Sequence, residues 1–434
     1  MTLRREHIVQ ALIVLSLFVS IGWKAIPNAP APFSATYVLG FYSTIAIIVT
    51  IGAWALLGMP NRERLWKSTP KLAWFSMLLL LVAWAYLSQF WAFVRVARPE
   101  IAQNMALTFT ILAAFSVIVV CCPPSPRLIL AVLGATLLIN SLIGGAQVAQ
   151  QGTIGLNAIG ELRSMNPQQS GVSVVQSGDV RLLRPYGLLP HPNIFSGALL
   201  LGLSAILPML LTAQRKWRWL ALLLFALGLW ALWLTFSRGA WVAAAVMMAV
   251  CAMFVLRTTK RRYLITPIIL TVVISLVFIV MYRPFLSARI SINDENTEQR
   301  SIADRVVYTQ IAVDAIESAP VQGVGAGNFA WYSAHYLRYR TNFDLQGGNV
   351  HQVALMLISE LGMVGFVLFG GLFTLALIVN IRALWQHPEQ TWRLASLGAT
   401  VAFAVVGLVD QYPITLPQGM TWWFSVIALG VSDE

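Results

Sequence analysis

Charge is scarce in this sequence. Asp, Glu, Lys and Arg together make up 11% of its 434 residues, where a soluble domain carries about 25%. Cysteine is scarcer, with three in all. Cys121 and Cys122 end one apolar run and Cys251 lies inside another, so neither metal-ligand spacing nor a loop pair for a disulfide is present. The three read as small apolar filler. No HExxH occurs, and His335 and His351 stand too far apart to suggest zinc. No DxD-like acidic pair stands ready to hold a divalent cation with a sugar phosphate, and no G-x-S-x-G marks a serine nucleophile. The glycine-rich stretch "GVGAGNF" at 323–329 lacks the Lys-Ser/Thr of a nucleotide P-loop, which leaves a weak phosphate-loop signal. Neither a metal nor a cofactor is expected. The first apolar run lacks a small-residue cleavage site, so it reads as a retained span rather than a removed leader.

Long apolar runs are abundant instead, and 58% of the residues are hydrophobic. Runs near 20 residues match the thickness of a bilayer core. The expectation is an all-α polytopic membrane protein with twelve spans. They fall near 8–24, 36–58, 72–92, 101–122, 128–149, 193–213, 217–235, 239–256, 264–282, 351–380, 394–411 and 416–431. Spans one to nine fill 1–282 with an external loop at 150–192, a large external loop covers 283–350, and three spans follow in 351–434. Within the large loop, "TEQRSIADRVVYTQIAVDAIESAP" has helical spacing with Pro320 as its stop, and "WYSAHYLRYR" reads as a second short helix. The 150–192 segment, rich in Gly, Gln, Ser and Pro, reads as a structured loop with room for a short helix.

The net charge of +12 could point to nucleic acid, but topology accounts for it. With a cytoplasmic N-terminus, the cytoplasmic segments hold 16 of the 29 Lys and Arg against five acids, a net +11. The remaining 13 bases and 12 acids are external or in the spans. No nucleic-acid partner is expected; membrane lipids are. Twelve of those 13 bases are Arg, the side chain that grips phosphate with a planar two-pronged donor set. Orientation gives them no reason to be outside, so the external face reads as built to hold an anion.

Four stretches carry the candidates. In "RLLRPYGLLPHPN", Arg184 lies near a helix start, where anions also settle, while His191 and Asn193 stand open between helix cap and sugar contact. In "TFSRGAW", Arg238 is either a snorkelling interface residue or a ligand group. In the large loop, Arg305 and Tyr308 are three apart and can share a helix face, the plain alternative being a solvated helix with an Asp304–Arg305 ion pair. In "NVHQVALMLISELGMVGF", His351 opens a span, and Glu360 lies about 13 Å deeper on a straight helix. Glu360, followed by Gly362, reads as a structural hydrogen-bonding tie.

Together, "RPYGLLPHPN", "TFSRGAW", "DRVVYTQIAVDAIESAPVQGVGAGNF" and "VHQVALMLISELGMVGF" resemble the O-antigen ligase and O-antigen polymerase superfamily of bacterial envelope glycosyltransferases. The likeness covers roughly residues 180–370, and hydropathy alone carries it further. The chain has His351-Gln352 where the family often has His-Asn, and Asp304 before Arg305 where the family often has Glu. The resemblance implies a GT-C-type, metal-independent enzyme in the bacterial inner membrane with its active site facing the periplasm, and the charge bias expects both termini in the cytoplasm. It would take a glycan from undecaprenyl diphosphate. A ligase passes it to lipid A-core, and a polymerase to another carrier-linked repeat unit; the ligase is preferred. A transporter of an anionic lipid is the rival from another class, disfavoured because the polar residues crowd one face. The implied catalytic set is His351, Arg305 and Arg184. Arg238, Arg300, His191, Asn193, Tyr308 and Arg338 are expected at substrate, and Glu360 and Gly362 in structure.

Overall fold

The computed structural model describes residues 2–19, 41–212, 215–290, 298–340 and 347–432. Sixteen α-helices and one hairpin occur among them. The first five helices are α1 (Thr2–Val19), α2 (Phe41–Leu56), α3 (Thr69–Leu87), α4 (Glu100–Cys121) and α5 (Pro126–Gln150). The hairpin is β1 (Val174–Ser177) and β2 (Val180–Leu183). Then come α6 (Pro192–Thr212), α7 (Arg215–Leu234), α8 (Arg238–Val255) and α9 (Ile265–Met281). The loop helices are α10 (Arg283–Ile290), α11 (Glu298–Ser318) and α12 (Phe329–Arg340). The chain closes with α13 (Val353–Gln386), α14 (Thr391–Gly407), α15 (Tyr412–Thr415) and α16 (Pro417–Val431).

Eight helices among the described residues, α3 to α9 and α13, are long and apolar enough to cross a membrane, rather than the expected twelve. The difference is one of length and charge. Helices α2, α14 and α16 have 16, 17 and 15 residues, which at 1.5 Å each is about 22–26 Å against a core of about 30 Å. Helix α1 opens on Arg4, Arg5 and Glu6. The outer part of the expected first span and the start of the second lie outside the described residues.

Helix α6 is the hub, buried on nearly all sides among α5, α7, α8 and α14. Helix α9 is its opposite. Ile268, Ile269, Val272, Leu276 and Val280 are all exposed, the surface expected of a helix that meets lipid. Where α7, α8 and α9 end together, Trp233 and Trp241 lie 5.2 Å apart, Phe236 and Phe278 5.4 Å, and Phe278 and Tyr282 4.9 Å between ring centroids. Such an aromatic layer suits a membrane interface.

The 151–191 loop is structured by one buried side chain. Gln147, in the last turn of α5, accepts from the backbone N–H groups of Tyr186 and Gly187 and donates to the Gly187 carbonyl and to Glu161. Glu161 in turn accepts from the Ile154 and Leu156 N–H groups. The hairpin, antiparallel with Val174 opposite Leu183, was not expected from sequence; α10 packs on its first strand.

Helix α13 breaks at Gly362, whose φ of 67° belongs to the left-handed region. A Cβ there would strike the Val321 carbonyl, so only glycine permits the chain at 320–324 to dock in the break. The freed backbone groups are then used across the contact. Val324 N–H donates to Ser359 O at 2.8 Å, Gly325 N–H to Glu360 O at 2.9 Å, and Met363 N–H to Pro320 O at 2.9 Å. The Trp84 indole donates to the Leu361 carbonyl. The glycine-rich turn is therefore a clamp on α13 and not a phosphate cradle.

Candidate active site

Three connections and one helix start converge at a single end of the bundle. They are the 184–193 turn ahead of α6, the tight α7–α8 turn, the loop helices with the 347–352 segment, and the 408–412 corner after α14. Between them lies a cavity of about 490 Å³. Arg184, His191, Asn193, Arg238, Arg289, Arg305, His351, Asp410 and Tyr412 all line it. Residues more than two hundred positions apart in the chain thus share one wall.

Arg184 is buried at 5% exposure. Its Nε donates to the Thr235 carbonyl at 2.6 Å, Nη1 to Ser173 Oγ at 3.0 Å and Nη2 to Asn193 Oδ1 at 2.7 Å. Thr235 follows the end of α7, where helix carbonyls lack partners and attract cations. Arg289 Nη2 reaches the next carbonyl, that of Phe236, at 3.4 Å. Phe236 has φ 49°, so the α7–α8 turn is tight. It delivers Arg238 to the cavity mouth, where its Nη1 donates to the Arg289 carbonyl. The first turn of α8 lines the same cavity, adding orphan N–H groups that favour an anion.

Asn193 relays this network. Its Nδ2 donates to Asp410 Oδ2 at 2.8 Å, and Asp410 Oδ1 accepts from the Gln411 N–H at 2.9 Å. His191 Nδ1 accepts from the Asn193 N–H at 3.1 Å, so His191 caps α6 while facing the cavity. Burial pushes the His191 imidazole down to about 3, with Arg184 and the other cations adding to the effect. It is neutral at physiological pH.

His351 lies two residues ahead of α13, outside the spanning segment. Burial lowers its pKa below the ordinary imidazole value; the Asp410 carboxylate pulls it up and Arg305 pushes it down. A neutral imidazole facing arginines can accept a proton near pH 7.

The other candidates are placed differently. Tyr308 is buried beneath the 347–348 segment, its hydroxyl against Gly348, and does not line the cavity. Arg338 is exposed on α12 beside the Tyr339 ring, away from the cavity. The Arg300 side chain lies outside the described residues. Glu360 is buried, and its Oε1 accepts from the Phe329 N–H at 3.2 Å, so it fastens the start of α12 to α13. Gly362 is the break itself. Arg289, Asp410 and Tyr412 were not singled out from sequence. Asp410 carried a readable signal, an acid ending an apolar run just before Gln411-Tyr412-Pro413. Gly197 is needed for this corner, because a Cβ there would collide with the Tyr412 hydroxyl.

Residues 223–370 match the O-antigen ligase family model. The matched stretch covers about a third of the chain. It contains Arg238, Arg289, Arg305 and His351, whereas Arg184, Asn193 and Asp410 lie outside it and complete the cavity. Comparison with curated proteins gives no match.

Proposed function

We propose that the protein is an O-antigen ligase. On this reading it transfers a glycan from undecaprenyl diphosphate to lipid A-core at the periplasmic face of the inner membrane. The observation that carries the reading is the gathering of Arg184, Arg238, Arg289 and Arg305 with His351 around one cavity of about 490 Å³. The volume falls within the range of about 300–1,000 Å³ common for ligand sites. Both termini face the cytoplasm, and α1 with the shorter helices α2, α14 and α16 completes a twelve-span, GT-C-type bundle.

The chemistry follows from charge. As the bond between the anomeric carbon and the diphosphate oxygen breaks, negative charge grows on that oxygen. Arginines fixed beforehand in a cavity of low dielectric stabilise it without reorganising. Arg305 and Arg238 contact the diphosphate, and Arg184 adds a held charge in the wall. His351 takes the proton from the acceptor hydroxyl as that oxygen bonds to the anomeric carbon from the opposite side. The outcome is inversion, with the arginines doing the work that a metal does elsewhere.

The test is transfer by the purified, bilayer-reconstituted protein, given labelled undecaprenyl-diphosphate glycan and lipid A-core in the presence of EDTA. Transfer that is lost in His351→Ala is expected. Normal turnover by that variant would remove the base assignment, and dependence on added metal would remove the arginine-only mechanism. A deletion strain that still makes carrier-linked polymer but attaches none to lipopolysaccharide supports the ligase. A strain limited to single attached repeats supports the polymerase.

A further inference from the structure

A second cavity, of about 300 Å³, adjoins the first. The two share His191, Asn193, His351, Asp410 and Tyr412 in their walls. They differ in charge. Both include the Asp410 carboxylate, but the first sets four arginines beside it, whereas the second has no Arg or Lys in its lining among the described residues. A diphosphate is drawn to the first and repelled by the second.

What lines the second cavity beyond the shared wall is neutral: Asn349, Gln411 and Thr415, with Ile194 and Leu416 as apolar surface. Four of its side-chain atoms, Asn349 Oδ1, His351 Nδ1, Gln411 Oε1 and Tyr412 Oη, are buried without a hydrogen-bond partner among the described residues. Buried polar atoms left unpaired in a native wall call for an explanation. The Asn349 and Gln411 amides and the Thr415 hydroxyl in this lining offer both donors and acceptors, which is what sugar hydroxyl groups need. The apolar surface of Ile194 and Leu416 suits the C–H face of a sugar ring.

We infer that this second cavity is the acceptor subsite, holding a neutral saccharide with one hydroxyl presented to His351 while the diphosphate sits on the arginine side. The assignment rests on the glycosyl-transfer reading above. It makes Asn349 and Gln411 determinants of acceptor recognition with no part in holding the donor. Lipid A-core and the free end of a carrier-linked repeat unit offer the same hydroxyl chemistry, so both sources fit the cavity.

The experiment is steady-state transfer by the full-length protein in lipid nanodiscs, with Asn349→Ala, Gln411→Ala and the similarly sized Gln411→Met. One arm uses lipid A-core as acceptor and the other a second carrier-linked repeat unit. For whichever acceptor is used, its KM rises about tenfold per lost hydrogen bond, while the donor KM stays within about twofold. Gln411→Met keeps the size of the side chain without the amide and serves if the alanine variant does not fold. An unchanged acceptor KM in variants that still transfer glycan overturns the subsite alone, as does an equal rise in donor KM. Absence of transfer by the unsubstituted protein overturns the glycosyl-transfer reading and the subsite with it.

Discussion

Replacing Asp410 with Asn tests whether the polar network acts through His351. The carboxylate accepts two hydrogen bonds, one from Asn193 Nδ2 at 2.8 Å and one from the Gln411 N–H at 2.9 Å. An amide keeps a single acceptor oxygen, so one donor must face an N–H₂ group. A hydrogen bond to a charged group contributes about 1.5–3 kcal/mol, which is about ten- to a hundredfold in rate if its loss is felt in the transition state. The second effect is electrostatic and has a definite sign. Asp410 raises the pKa of His351, while burial and Arg305 lower it. Without the carboxylate the pKa falls further. The base is then deprotonated at lower pH, so the acid limb of kcat/KM shifts to lower pH. The plateau falls too, because a weaker base takes the proton less readily. The assay is the pH–rate profile of glycan transfer in nanodiscs. A fallen plateau with the acid limb unmoved, or moved upward, would show that Asp410 does not act through His351.

Arg305→Ala should lower kcat by about 10²–10³ if Arg305 stabilises the leaving diphosphate; full activity removes it from that role. Arg184→Lys cannot reach Thr235, Ser173 and Asn193 together, and each buried acceptor left unmet costs about 1–3 kcal/mol. A lower melting temperature in detergent is expected, and an unaltered one would mean that the three contacts do not hold this end of the bundle together. Gly362→Ala forces a Cβ into the Val321 carbonyl at a positive-φ backbone that itself costs about 1–3 kcal/mol. Membrane extracts should hold little folded protein, and normal yield with normal stability would refute the clamp between the 320–324 turn and α13.

How much of this was legible in the sequence depended on the range of the interaction. A span is a property of one continuous run, so helices such as α4, α5 and α13 were readable as apolar runs near 20 residues. The shorter α16 was readable to within a residue, whereas α14 was visible as an apolar run whose end was not, because the 408–416 corner has no charge other than Asp410 to mark it. Arg184, Arg238, Arg305 and His351 stood out because twelve arginines lie where orientation gives no reason for them. Tyr308 was paired with Arg305 by spacing alone. Residues three apart on a helix are still about 60° apart around it, and on α11 that angle separates the cavity from the segment at 347–348. The glycine-rich turn was ambiguous for a different reason. Its meaning lies in a break at Gly362, nearly forty residues on, and no local pattern announces such a contact. Gln147 was invisible in the same way, since its four partners lie in the loop that it organises.

The arginines of the cavity divide by how they are held. Thr235 O, Ser173 Oγ and Asn193 Oδ1 each bind Arg184, and none of the three carries a formal charge. These bonds fix the guanidinium in place without neutralising it. A positive charge held by neutral acceptors inside protein is a preorganised field, and such a field stabilises charge that develops beside it with no need to move. Charge and fixation are therefore separable at this position. Lysine keeps the first and loses the second, while glutamine loses the first and keeps part of the second. If fixation matters, Arg184→Lys lowers kcat nearly as far as Arg184→Gln, with donor KM less affected in the lysine variant. If charge alone matters, the lysine variant retains most of its turnover and the preorganised-field argument fails.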